Sequence, residues 1–450
     1  MRFSTMSAVS VLIALACGSG STSAETMHLP KKMPKASAES VGMSTKGLHR
    51  IDEMMQGQID AGRIQGGATI VARRGKVVHF STHGEMDVVT GRPMEPDALY
   101  IMASSEKPVV GVATLMLVEE GLIDLNDPVS KFIPEFANQQ VVFANDLSKK
   151  GVEKEGKKAW RKNKDAKGKG GKGKGAKSKD DKDGKWDGDY KGKSQRKGQS
   201  KGKQAAQQLS PVDTPVTIHH LLTHTSGVNG GGVYQNKEDS PASYVAKVGR
   251  APLMFQPGTR WVYSNVAIHH VLPQIIEIAS GTPYHTFVQE RVFDPLAMKS
   301  TYFQVPSDKM SKVILANDLK KKGGGGLMST AEDFLHFEQM LLNGGELFGQ
   351  RLLRPETVRM MGTNQVGDLF ANSGKGEKAQ KGMGFGYTVA VTLDPIAAGN
   401  GRGRGAFGWG GAAGTVTWSD PENELVGVLM LQQPRGGGDF ARIISEAIID

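Results

Sequence analysis

The 450-residue sequence reads as an α+β protein, an α/β sandwich in which strands from both ends of the chain share one antiparallel sheet. The two terminal helices pack on a face of that sheet and the middle of the chain is mostly helical. Residues 44–62 place Leu48, Ile51, Met55 and Ile59 at helical spacing, which gives one apolar stripe. Residues 68–72 and 76–81 are strand-like and are joined by Arg73-Arg74-Gly75 as a hairpin turn. At the other end, residues 414–418 and 425–432 repeat the pattern around the turn Asp420-Pro421-Glu422-Asn423, and a helix over 440–449 closes the chain. Between these ends, apolar runs of helical length cover residues 109–117 and 266–279.

Composition supports a large core, with 38% hydrophobic residues. The first residues, Met1-Arg2-Phe3, precede an apolar stretch at 9–16 and small residues ending at Ala24. This is the pattern of a secretory leader spanning 1–24, so export to the periplasm or the medium is expected. The single cysteine, Cys17, lies in that leader. A mature chain would then hold no thiol, although Cys17 also permits a lipoprotein anchor. No later stretch approaches the roughly 20 apolar residues that a membrane span needs.

The formal net charge of +10 is unevenly distributed. The segment 149–203, bounded by Lys149 and Lys203, has 20 Lys and 2 Arg against 2 Glu and 6 Asp, a local +14 that leaves −4 for everything else. With almost nothing apolar to bury, it is expected to be a disordered Lys/Gly-rich insertion within a domain formed by 25–148 and 204–450. It reads as a solvated spacer or as a contact for a polyanion, with Trp160, Trp186 and Tyr190 interspersed.

Three short motifs carry candidate chemistry. In Ala103-Ser104-Ser105-Glu106-Lys107-Pro108, Ser104 and Lys107 stand three apart, so a helix places hydroxyl and amine on one face. Serine is a poor nucleophile until a base takes its proton, and a lysine kept neutral by burial is such a base. In Tyr263-Ser264-Asn265 the outer two side chains can point to one side of an extended segment. In Trp409-Gly410-Gly411-Ala412 small residues beside a strand let backbone approach a ligand closely. Each motif alone is commonplace: a cap, a loop, a glycine bulge. No Cys/His cluster and no Walker lysine is present, so neither a metal nor a nucleotide cofactor is implied.

In this order the three motifs resemble those of the serine β-lactamase and penicillin-binding-protein superfamily, specifically its class C-like branch. Ser104 and Tyr263 are 159 residues apart, about 104 once the basic segment is set aside, a gap of the order the family pattern has. Residues 216–227 and 325–333 add to the likeness, which covers roughly 38–148 and 205–450. The resemblance implies a β-lactamase/transpeptidase-like fold. It also implies Ser104 as the acylated nucleophile, Lys107 as proton acceptor or tuning partner, and Tyr263 as general base. Asn265 would orient the substrate, and the backbone N–H groups of Ser104 and Ala412 would form the oxyanion hole. His224 would belong to a structural turn.

Penicillin-recognising members open the third motif with lysine, whose charge attracts a substrate carboxylate. Trp409 has one indole donor and no charge. Trp409, Gly410 and Gly411 are instead similar to the motif of the family VIII carboxylesterases of this superfamily, so the expected activity is that of a secreted serine carboxylesterase on small or medium esters. Amide hydrolysis, as β-lactamase or DD-peptidase, is the alternative. A non-catalytic protein using its basic segment to bind a polyanion is another. With Lys107 nearby but no second lysine to stabilise a Tyr263 phenolate, an alkaline activity optimum is expected. Glu106, about 100° from Lys107 on a helix, is expected to be a solvent-facing or N-terminal-turn carboxylate; paired with Lys107 instead, it would keep the lysine protonated and weaken it as a base.

Overall fold

The computed structural model describes residues 31–142, 209–230, 233–314, 326–374, 380–433 and 438–450. The leader with Cys17 and the basic segment 149–203 lie outside the described residues. Helix α1 (Thr45–Asp60) begins where Ser44 Oγ accepts the Gly47 N–H, and it buries Leu48, Ile51 and Met55. Ile59 is only partly buried, against the same cluster.

Strands β1 (Gly66–Arg73), β2 (Lys76–Asp87) and β3 (Arg92–Pro93) come next, and β4 (Met383–Phe385), β5 (Ala390–Thr392), β6 (Phe407–Gly410), β7 (Val416–Asp420) and β8 (Leu425–Leu431) follow late in the chain. They form one eight-stranded sheet in the order β4-β5-β6-β7-β8-β1-β2-β3. The two ends of the chain therefore meet at its centre, with Ile70 opposite both Val428 and Phe80. Every residue of β1 and β8 is buried, which is why both segments read as mostly apolar runs instead of alternating ones, broken in β1 only by Thr69 and Arg73. Strand β2 runs six residues beyond the expected span. Strand β7 starts two residues late, because Gly414 (φ 99°) stays in the preceding turn.

Helices α1 and α6 (Phe440–Glu446) cover one face of the sheet, packing Ile51, Met55, Phe440 and Ile444 against Trp418 and Leu429. Burying one such side chain fully is worth roughly 1.5–3 kcal/mol. On the other face lies α5 (Ala331–Leu342), with Phe334 and Phe337 in the main core. Its Glu338 is fully buried and accepts hydrogen bonds from Thr417 Oγ1 (2.6 Å) and Ser419 Oγ (2.8 Å) on β7. Burial pushes this carboxyl up to about 7.

Between the sheet and the helical half sits α2 (Lys107–Glu119), buried on all sides from Lys107 to Leu117 and packed against α3 (Leu272–Ser280) and α4 (Tyr284–Val288). The stretch expected as one helix over 266–279 opens with a π turn, Ala267–Val271, before α3. Pro273 explains it: proline offers no N–H for an ordinary helical bond, and the wider turn absorbs the defect. Elsewhere, Gln140–Val142 pairs antiparallel with Leu209–Pro211, Val141 standing opposite Ser210.

Candidate active site

Ser104 stands in a 3₁₀ turn, Ala103–Glu106, that feeds directly into α2. With three residues per turn, positions 104 and 107 are eclipsed, so the expected Ser/Lys neighbourhood is met one turn before the α-helix proper. Ala103, at φ 48°, lies in the left-handed region that side chains avoid; the backbone is strained immediately before the hydroxyl.

Lys107 is fully buried, and its Nζ reaches three partners: Ser104 Oγ at 3.0 Å, Asn265 Oδ1 at 2.8 Å and His269 Nε2 at 2.8 Å. Tyr263 Oη donates to Ser104 Oγ at 2.6 Å, and Lys107 Nζ lies 4.7 Å from the centre of the Tyr263 ring. Tyr263 and Asn265 do point to one side, while Ser264 between them turns away and caps the next turn through Ala267 N–H. Asn265 itself is exposed, at the edge of the cluster.

Electrostatics separate the two candidate bases. Burial drives the Lys107 amine down to about 7, with the neighbouring Glu106 pulling it back up. Burial pushes the Tyr263 phenol up, and hydrogen bonds with Ser104 and the Trp409 indole only partly oppose this. Near neutral pH the amine therefore has a substantial uncharged fraction while the phenol keeps its proton.

The third motif closes the site from the sheet. Trp409, on β6, is half-buried and stacks on Tyr263 with ring centres 5.8 Å apart and planes 26° off parallel. Phe385 meets it edge-on at 5.4 Å. Gly411 is glycine for a steric reason: a Cβ there would lie 2.3 Å from the Met102 carbonyl oxygen and 2.3 Å from Thr415 Oγ1. That contact presses the end of β6 against the chain just before Ser104, and a hydrogen bond between Ser105 Oγ and Thr415 Oγ1 (2.8 Å) fastens it. Gly410 pairs with Val416, and Ala412 sits on the exposed turn that follows Gly411.

Glu106 does stand in the first turn, at the N-cap of α2, but it does not face solvent. This carboxylate is buried and raised to about 7 by loss of solvent, because α2 is enclosed on every side and has no face turned to water. His224 holds a structural place as expected. Buried, with Nδ1 accepting the Ser264 N–H, it supports the Tyr263 ring at 4.9 Å rather than reaching its hydroxyl. Sequence reasoning missed His269, which the π turn carries onto Lys107. The available signal was Pro273 four residues on, marking a helix that could not start regularly. Among the described residues no cluster of metal ligands occurs, and no helix is long and apolar enough to cross a membrane.

Sheet order, helix placement and the three converging motifs define a β-lactamase/transpeptidase-like hydrolase fold. A family model described as Beta-lactamase matches residues 51–142 and 203–447, and the chain belongs to that family. It is similar to Protein Rv1367c of Mycobacterium tuberculosis, 29% identical over 407 residues that cover 83% of this chain and 87% of that one. It is also similar to Esterase EstB of Burkholderia gladioli, 26% identical over 415 residues, 81% and 85% of the two chains. Among solved structures, EstCE1, described as a hydrolase with promiscuous acyltransferase activity, superposes with a TM-score of 0.65 at 20% identity over 90% of this chain and 98% of its own; that likeness speaks for the fold.

Proposed function

We propose that the protein is an exported carboxylesterase that forms an acyl-enzyme on Ser104 and acts on small or medium esters with an uncharged acyl group. Trp409 carries the reading. At the position where the penicillin-recognising pattern has a cation, an uncharged indole stacks on Tyr263 and offers an apolar wall instead of an anchor for a carboxylate. The similarity to Esterase EstB agrees with it.

In this mechanism uncharged Lys107 takes the Ser104 proton as Oγ bonds to the ester carbonyl carbon. The carbonyl oxygen becomes an oxyanion held by the N–H groups of Ser104 and Ala412, each such donor being worth about 3 kcal/mol. Collapse expels the alcohol, which takes a proton from the Tyr263 phenol. The phenolate then takes a proton from water as the water oxygen bonds to the acyl carbon, and collapse breaks the bond to Ser104 Oγ, which regains its proton from the Lys107 ammonium as the acid is released.

The test is a panel of short p-nitrophenyl esters, long esters and a chromogenic cephalosporin, run on wild type and Ser104→Ala, with fluorophosphonate labelling alongside. Short-ester turnover and labelling that both vanish in Ser104→Ala are expected. A cephalosporin rate rivalling the short ester would move the assignment to amide chemistry.

A further inference from the structure

Two neighbours of Lys107, partly buried His269 and buried Glu106, are left idle by the mechanism above. His269 Nε2 stands 2.8 Å from Lys107 Nζ, and His269 Nδ1 faces Glu106 Oε2 at 3.9 Å. Glu106 also takes the Leu327 backbone N–H, and the buried Tyr284 of α4 lies beside it. From the remaining sides, Lys107 and His269 are faced by Tyr263, Asn265, His224 and His270. Burial and the nearby Lys107 hold His269 far below its ordinary range, so it is neutral and one ring nitrogen is a free acceptor.

Counting hydrogens fixes what this does. An uncharged amine has two N–H groups and one lone pair. Asn265 Oδ1 can only accept, so it takes the first N–H. If His269 carries its proton on Nδ1, toward the Glu106 carboxylate, then Nε2 takes the second. The lone pair is left aimed at the one remaining neighbour, the Ser104 hydroxyl.

We propose that Glu106 and His269 are a positioning pair behind Lys107: Glu106 selects the His269 tautomer, His269 turns the Nζ lone pair onto Ser104, and Glu106 serves as counter-charge once Nζ has gained the serine proton. In that step the Ser104 O–H bond breaks, an N–H bond forms on Nζ, and the oxygen electron pair goes to the ester carbonyl carbon. All three ammonium hydrogens then have acceptors in place. The pair acts through Lys107 and needs no contact with substrate. This inference rests on the acyl-enzyme reading of Ser104.

The experiment compares wild type, His269→Phe, His269→Gln and Glu106→Gln by kcat and KM on p-nitrophenyl butyrate, by the pH profile of kcat/KM, and by the rate of Ser104 phosphonylation. His269→Phe should lose about tenfold to a hundredfold in kcat and in phosphonylation rate with KM little changed. His269→Gln, which restores an acceptor oxygen, should recover most of that loss. Because the Glu106 charge favours the protonated amine, Glu106→Gln should move the acidic limb of the profile to lower pH by about one unit. Wild-type kcat in His269→Phe, or an unmoved acidic limb in Glu106→Gln, overturns the pair. If wild type itself is not labelled, or Ser104→Ala hydrolyses esters normally, the acyl-enzyme reading falls instead.

Discussion

Two glutamates are buried beside this sheet, and burial raises both to about 7. What surrounds them differs. Glu338 takes hydrogen bonds from two hydroxyls on β7 and feels the Arg402 guanidinium nearby, so its oxygens are spent inside the fold, holding helix to strand. Glu106 faces a histidine and a lysine, and the lysine touches a half-exposed serine hydroxyl. A raised carboxyl is therefore not a mark of chemistry by itself. The distinction is whether its hydrogen-bonded chain ends in the fold or at an accessible nucleophile.

That contrast is broken most directly by removing the end of the chain that starts at Glu106. Ser104→Ala should lower ester turnover by about 10⁴-fold or more while the melting temperature stays put, as assayed by p-nitrophenyl butyrate hydrolysis and thermal unfolding. A smaller loss is expected from Gly411→Ala, whose new Cβ would displace the Met102 carbonyl and with it the turn bearing Ser104. Turnover should fall about tenfold or more, with a stability cost of about 1–3 kcal/mol in urea unfolding.

The mildest change sharpens the other half of the comparison. The folded-state value of Glu338 lies above its unfolded one, so its contribution is fully present below about pH 4.5 and is lost as pH rises through about 7. Wild type should lose up to about 3 kcal/mol from this group between pH 5 and pH 8. Glu338→Gln cannot ionise and should flatten that slope, with ester turnover within about twofold of wild type. A Glu338→Gln protein that kept the slope and lost turnover would place the carboxylate in the working site after all.

The candidate site's side chains were legible because the chemistry proposed for them is tied to short spacings. Ser104 and Lys107 need one turn between them, Tyr263 and Asn265 one residue, and Trp409 two glycines after it; each spacing survives folding unaltered. The sheet was legible because its central strands are buried at every position and mostly apolar, Thr69 and Arg73 being the polar exceptions. Glu106 was misread because adjacent residues diverge on a helix only in a way that matters when one side of the helix is wet, and α2 has no wet side. His269 was missed because a π turn changes which residues share a face, and Pro273, the one sign of it, stands inside an apolar run of otherwise regular period.

The short ladder joining Gln140–Val142 to Leu209–Pro211 has an engineering consequence. Paired strands lie about 4.8 Å apart, so the chain leaves and re-enters the body through a gap that a two-residue turn can bridge. Residues 142 and 209 are thereby held side by side by the body's own ladder. The same point is a candidate socket: new termini opened there are expected to leave this ladder paired, as measured by the melting temperature of the permuted chain.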